Sequence, residues 1–111
     1  MVKTFDLTGK IVLVTGGYGH LGKAIVQALA FHRAKVYVLG RKIEIFQSLF
    51  QDEENIVFQY LDLSSSQSIA EAFAAIVKIE KKIDVLINNG FYSKGQSPEQ
   101  MTDEDFIYGI E

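Results

Sequence analysis

Apolar residues along the chain fall into two kinds of run. Lys10–Thr15, Val36–Leu39, Ile56–Leu61 and Asp84–Asn88 are short, continuous and rich in β-branched side chains, as in strands buried on both faces of a parallel sheet. Between them the spacing changes to that of a helix. Leu21, Ala24, Ile25, Ala28 and Leu29 recur three, four, seven and eight positions on from the first, so they are expected on one buried helix face. Ile43–Phe50 is a second, short helix. Ile69, Ala72, Phe73, Ile76 and Ile79 form a third stripe, entered through Ser64–Ser68, where Ser68 with Glu71 or Ser64 with Gln67 has the spacing of a capping box. That helix closes on Lys78, Lys81 and Lys82, charges suited to a helix C-terminus. Phe91–Gln100, with the one proline, reads as a loop, and Thr102 caps a final helix with Asp103, Glu104 and Asp105 in its first turn.

Strict alternation of strand and helix predicts an α/β fold with right-handed crossovers and helices on both faces of a parallel sheet. The expected architecture is a Rossmann-like doubly wound sheet of about four strands in the order 3-2-1-4, forming one domain over residues 1–111. A complete doubly wound dinucleotide domain carries strands in the order 3-2-1-4-5-6. The fold is therefore expected to be incomplete, with the apolar fourth strand at an open edge that attracts another strand. The last helix ends at Glu111 without a C-cap glycine, which favours a chain cut from a longer one.

Composition narrows the function classes. With 48% hydrophobic and 23% charged residues the chain is an ordinary globular one. Its net charge of −3 provides no basic field for a polyanion, so nucleic acid is not an expected partner. There is no cysteine, hence no disulfide or thiolate metal site, which fits a reducing compartment. No apolar run approaches the roughly 18 residues of a membrane span, and the start lacks the apolar stretch of a signal peptide. A cytoplasmic location is expected, with no membrane partner and no metal.

The chemistry lies in the turn Thr15-Gly16-Gly17-Tyr18-Gly19-His20-Leu21-Gly22. Gly16, Gly19 and Gly22 stand three apart between a strand and an amphipathic helix. In that context the first allows a tight turn, the second lets the backbone approach a diphosphate, and the third packs helix on strand. Free N–H groups at the helix start then meet the anion. A glycine turn without a ligand is the plainer alternative. A P-loop is a second one, since Gly17–Ala24 nearly fits it. It fails at Ala24, where a hydroxyl must ligate magnesium.

Taken in series, these features resemble the short-chain dehydrogenase/reductase family over essentially the whole chain. The entry phrase Leu7–Gly17, the Asp62-Leu63 dipeptide after the third strand, and Asp84-Val85-Leu86-Ile87-Asn88-Asn89 carry the resemblance. It implies an NAD(P)-dependent oxidoreductase that moves a hydride between nicotinamide and a carbonyl or alcohol of a small-molecule substrate. It also implies that Asp62 accepts from the adenine amino group, that Leu63 adjoins the ring, and that Asn88 lines the cofactor and ties neighbouring strands. By residue type alone, Asp62 reads more simply as an N-cap or turn residue before the serines. Two departures stand out: His20 occupies the middle glycine position, where it is either a phosphate donor or an exposed helix residue, and Asn88-Asn89-Gly90-Phe91 replaces Asn-Asn-Ala-Gly. The expected cofactor-binding set is Gly16, Tyr18, Gly19, His20, Leu21, Gly22, Arg41, Asp62, Leu63, Asn88 and Gly90.

An acidic residue ending the second strand would bind the ribose 2′-hydroxyl of NAD, and a basic one the 2′-phosphate of NADP. Here the strand ends in Gly40-Arg41-Lys42. A guanidinium grips phosphate bidentately, so NADP is preferred over NAD, with a solvated loop charge as the alternative for Arg41. The family's Tyr-x-x-x-Lys pair is absent. Tyr18, Tyr37, Tyr60 and Tyr92 are followed four residues on by Gly22, Arg41, Ser64 and Gln96, and Tyr108 stands too near the end. No catalytic residue is expected in this chain, which is then either the cofactor-binding part of an oxidoreductase, a non-catalytic dinucleotide module, or an inactive fragment. Members of the family often pair through later helices, which leaves a homo-oligomer open.

Overall fold

A computed structural model describes residues 6–51 and 53–89. Its elements run β1 (Ile11–Thr15), α1 (His20–Phe31), β2 (Lys35–Gly40), α2 (Ile43–Leu49), β3 (Ile56–Tyr60), α3 (Ser66–Glu80) and β4 (Val85–Asn88). The four strands are parallel and ordered β3-β2-β1-β4, the Rossmann-like arrangement expected from the alternation. The expected loop from Phe91 and the helix from Thr102 lie outside the described residues.

Side chains alternate across the pleat, so each central strand feeds two cores. Val12, Val14, Val36 and Val38 point to one face with Val26 of α1, Phe50 and Ile56. Ile11, Leu13, Tyr37 and Leu39 point to the other, against Ala72 and Ile76 of α3 and Leu61. Phe46 anchors α2 through tilted ring contacts with Phe50 at 5.5 Å and Phe58 at 5.4 Å. Asn55 ties the start of β3 to the end of α1 by donating to the Ala30 and Ala34 carbonyls at 2.9 and 3.0 Å.

Three local expectations need correction. In α1 the buried residues are Gly22 and Val26, with Leu29 and Ala30 packed beside them, whereas Leu21, Ala24 and Ala28 are exposed. The helix is apolar around most of its circumference, so its periodicity admits two stripes. The turn selects between them, because only Gly22 can touch the backbone of β1's end. In α3 the N-cap is Ser65, whose hydroxyl accepts from the Ser68 N–H at 3.1 Å, in place of either expected capping box. Ile79, at the far end of that helix, is exposed.

Among the described residues β4 lies at the end of the strand order, and its Val85 and Leu86 are 43% and 48% exposed. Asp84 precedes β4, and its carboxylate accepts from the Ile11 N–H at 2.8 Å and pairs with Lys82 at 3.0 Å. The Ile11 N–H, with Lys82 behind it, holds that carboxyl below its ordinary pKa. Among the described residues no helix is long and apolar enough to cross a membrane.

At the opposite end of the sheet from the glycine turn, Glu80 fastens α3 to β2. Its carboxylate takes the Tyr37 hydroxyl and the Lys35 ammonium together, and its side chain is only 12% exposed. The Lys35 hydrogen bond, then that of Tyr37, holds Glu80 below the usual carboxylate range. A depressed acid contributes stability above its unfolded pKa, about 4.3, and loses it as pH falls through the lower folded value. Glu80→Gln is therefore expected to destabilise the chain by about 1 kcal/mol at pH 7, because Lys35 is partly solvated. Thermal unfolding across pH should show the gap from the parent constant above pH 5 and closing below about pH 4. A gap independent of pH would contradict the ion-pair account.

Candidate functional site

The turn after β1 is shaped by what it excludes. Gly16 has φ 68°, in the left-handed region where a side chain is disfavoured by about 1–2 kcal/mol. A Cβ on Gly22 would lie 2.1 Å from the Gly16 carbonyl oxygen and 2.8 Å from the Gly17 Cα, so α1 can start this close to β1 only with glycine there. Gly17, which the spacing did not single out, is buried beneath the same turn. A Cβ on it would stand 2.9 Å from Val38 Cγ1 and 3.3 Å from Val26 Cγ2. Gly19 differs from both. It is the N-cap of α1 in extended conformation, φ −78° and ψ 174°, and a Cβ there would meet nothing within 4 Å.

Two asparagines tie this turn to β4. The Thr15 hydroxyl donates to Asn88 Oδ1 at 2.9 Å, and Asn89 Nδ2 donates to the Gly16 carbonyl at 3.1 Å. Asn88 thus joins neighbouring strands as the resemblance implied, and Asn89 is an addition that the sequence reading missed. The first helical bond of α1 runs from the Lys23 N–H to the Gly19 carbonyl at 2.8 Å. The N–H groups of His20, Leu21 and Gly22 precede it and carry the positive end of the helix. No side chain caps them and no acid stands in the first turn. His20 and Leu21 are exposed.

Beside the turn, at the C-terminal ends of β1, β2 and β3, lies a cavity of about 310 Å³. Gly16 and Tyr18 line it from the turn, Leu39 to Lys42 from the end of β2, Ile45 from α2, and Leu61 to Ser64 from the segment after β3. Of the expected set, Gly16, Tyr18, Arg41, Asp62 and Leu63 meet here, whereas Gly19, His20, Leu21, Gly22 and Asn88 belong to the helix start and the β1–β4 seam. Gly90 lies outside the described residues. Lys42, Ile45, Gly40 and Ser64 were not expected. Lys42 follows Arg41 directly, and the Asp-x-Ser spacing of Asp62 and Ser64 was the available signal for the last.

The Asp62 carboxylate does serve its local turn. Its Oδ1 accepts from the Ser64 hydroxyl at 2.6 Å and the Ser64 N–H at 2.9 Å, while its own N–H donates to Ser68 Oγ at 2.9 Å. Those Ser64 bonds, with a smaller contribution from Arg41, hold the carboxyl below its ordinary pKa. It is thus a fixed acceptor at the cavity wall. The Tyr18 hydroxyl is buried facing the Lys42 main chain, and burial raises its pKa. Arg41 and Lys42 are exposed and form no salt bridge among the described residues.

Sheet order, turn and cavity position define a Rossmann-like unit whose crevice opens at the carboxyl ends of its strands. The sequence matches the short chain dehydrogenase family over residues 10–110, and the chain belongs to that family. An uncharacterized oxidoreductase of Schizosaccharomyces pombe is 39% identical over 90 residues, covering 76% of this chain and 26% of that protein. A short-chain dehydrogenase/reductase of Armillaria gallica is 37% identical, over 76% of this chain and 29% of its own length. The cis-2,3-dihydrobiphenyl-2,3-diol dehydrogenase of Pseudomonas putida is 38% identical, over 75% and 30%. The chain thus spans between a quarter and a third of the length of these relatives.

The two kinds of glycine are separable by stability alone. Gly22→Ala is expected to lose about 2 kcal/mol despite alanine's helix preference, because the added methyl meets backbone. Gly19→Ala should change stability by no more than about 0.5 kcal/mol, the N-cap preference alone. Urea unfolding of the two variants measures this, and equal losses would contradict the assigned contact.

Proposed function

We propose that residues 1–111 form one NAD(P)-binding unit of a short-chain dehydrogenase/reductase-like oxidoreductase, and that the unit prefers NADP to NAD. The observation that carries the reading is the end of β2, where Gly40, Arg41 and Lys42 line the cavity with no acid among the three and with two exposed cations that form no salt bridge among the described residues. A 2′-phosphate adds two negative charges that Arg41 can take bidentately. The N–H groups of His20, Leu21 and Gly22 would hold the diphosphate, with Gly19 leaving room for its approach. Asp62 would accept from the adenine amino group beside Leu63, and Asn88 would border the nicotinamide end with Gly90. When bound, the cofactor supplies or accepts the hydride exchanged with a carbonyl or alcohol. The lack of cysteine fits a cytoplasmic setting.

The substrate is a small molecule whose acid/base partner is not in this chain, because no tyrosine here is followed by lysine four residues on. That same absence favours a second reading, a dinucleotide-binding module without catalysis. A P-loop reading has less support, since Ala24 offers no hydroxyl for magnesium.

Fluorescence titration of the folded chain with NADPH and NADH tests the proposal. The expected result is tighter NADPH binding, weakened about ten- to a hundredfold by Arg41→Ala, while NADH changes by less than about threefold. Gly19→Val should abolish binding of both and leave the fold intact. A folded sample that binds neither cofactor would overturn the dinucleotide reading, and an unchanged NADPH affinity in Arg41→Ala would overturn the NADP preference.

A further inference from the structure

Gly40 ends β2 at the place from which a carboxylate reaches the adenine ribose in NAD-binding sheets of this type. In this chain another side chain occupies that place. A Cβ built on Gly40 would lie 2.6 Å from the Tyr18 hydroxyl oxygen and 2.9 Å from both Cε2 and Cζ of its ring. Real Cβ atoms do not come that close, so one of the two residues would have to move. Tyr18 packs against the valine-rich core of β1, β2 and α1, and that side of the ring offers no space to retreat. The other way out is into the cavity, which Tyr18 and Gly40 both line. A ring swung in that direction would fill the volume a ligand needs. The ring itself, packed on that core, fills the space beside Gly40.

We propose that Tyr18 is a specificity-determining residue. Its ring occupies the side-chain space of position 40, bars an acidic residue from the tip of β2, and leaves Arg41 and Lys42 as the charged groups that meet the ribose substituent. This role rests on the dinucleotide reading above. It has a consequence that the usual acid-for-glycine exchange does not anticipate: position 40 cannot be converted to NAD recognition unless Tyr18 is shortened first.

The test is a double-mutant cycle of Gly40→Asp and Tyr18→Ala in the full chain, read by thermal unfolding and by NADPH and NADH titration. Gly40→Asp alone is expected to lower the unfolding midpoint by about 4 °C or more and to gain no NADH affinity. In the double variant the aspartate should no longer lower the midpoint relative to Tyr18→Ala, and NADH should bind about tenfold or more tighter than to Gly40→Asp. Tyr18→Phe, which keeps the ring, should leave the cost of Gly40→Asp as large as in the parent chain. Should Gly40→Asp fail to fold, Gly40→Ala reports the same contact through the midpoint, with rescue by Tyr18→Ala expected. Additive effects of the two substitutions, or NADH binding gained by Gly40→Asp alone, would overturn the role while leaving the dinucleotide reading in place. A folded parent chain that binds neither cofactor would overturn both together.

Discussion

Where α1 leaves the first strand, the backbone of Gly22 lies against the Gly16 carbonyl with no room for a methyl group between them. The rest of the architecture depends on that contact. It brings the helix start to the end of β1 and turns Val26 onto Val12, Val14 and Val38, with the first N–H groups of α1 left without a side-chain cap. Asn89 closes the arrangement from β4 by donating to the same carbonyl. A turn that must pass through φ 68° and under a helix has few alternatives. Glycine at both ends of it is therefore a requirement of backbone conformation and packing before any ligand is considered.

The site divides the work between two surfaces of different character. At the helix start, backbone groups carry a fixed partial positive charge that needs no side chain to be positioned. The cavity beside it is lined by side chains that end β2 and follow β3. Asp62 is immobilised there by its own turn through Ser64, and Arg41 is exposed and in no salt bridge among the described residues. A carboxylate already held by two local donors can accept from a ligand without reorganising, which suits a wall that recognises an adenine edge.

Much of this was legible in the sequence because it is encoded by local rules. Four β-branched runs and the strand-to-helix alternation sufficed for the parallel order 3-2-1-4, and the three-apart glycines marked the turn. What was not legible depended on contacts between distant segments. The buried face of α1 could not be chosen from its periodicity, since Leu21, Ala24 and Ala28 are as apolar as the residues that pack. Gly22 decides it, through a strand that precedes the helix. Tyr18 and Gly40 were each visible, but nothing within either segment shows that one fills the other's side-chain space. Ser65 caps α3 among the four serines of positions 64 to 68, a choice that residue type alone does not make. Asp62 was read both as an adenine contact and as a turn residue, and the turn bonds are present in the fold.

The central claim, that the glycine turn and the end of β2 face one dinucleotide, is tested most directly by residue-resolved NMR of the isotopically labelled chain on addition of NADPH. The account predicts shifts of the backbone amides of Gly16 to Gly22 together with those of Arg41, Lys42, Asp62 and Leu63, while Tyr37, Ile76 and Glu80, at the far end and opposite face of the sheet, stay unmoved. A folded chain whose spectrum does not change, or changes only away from the turn, would contradict it.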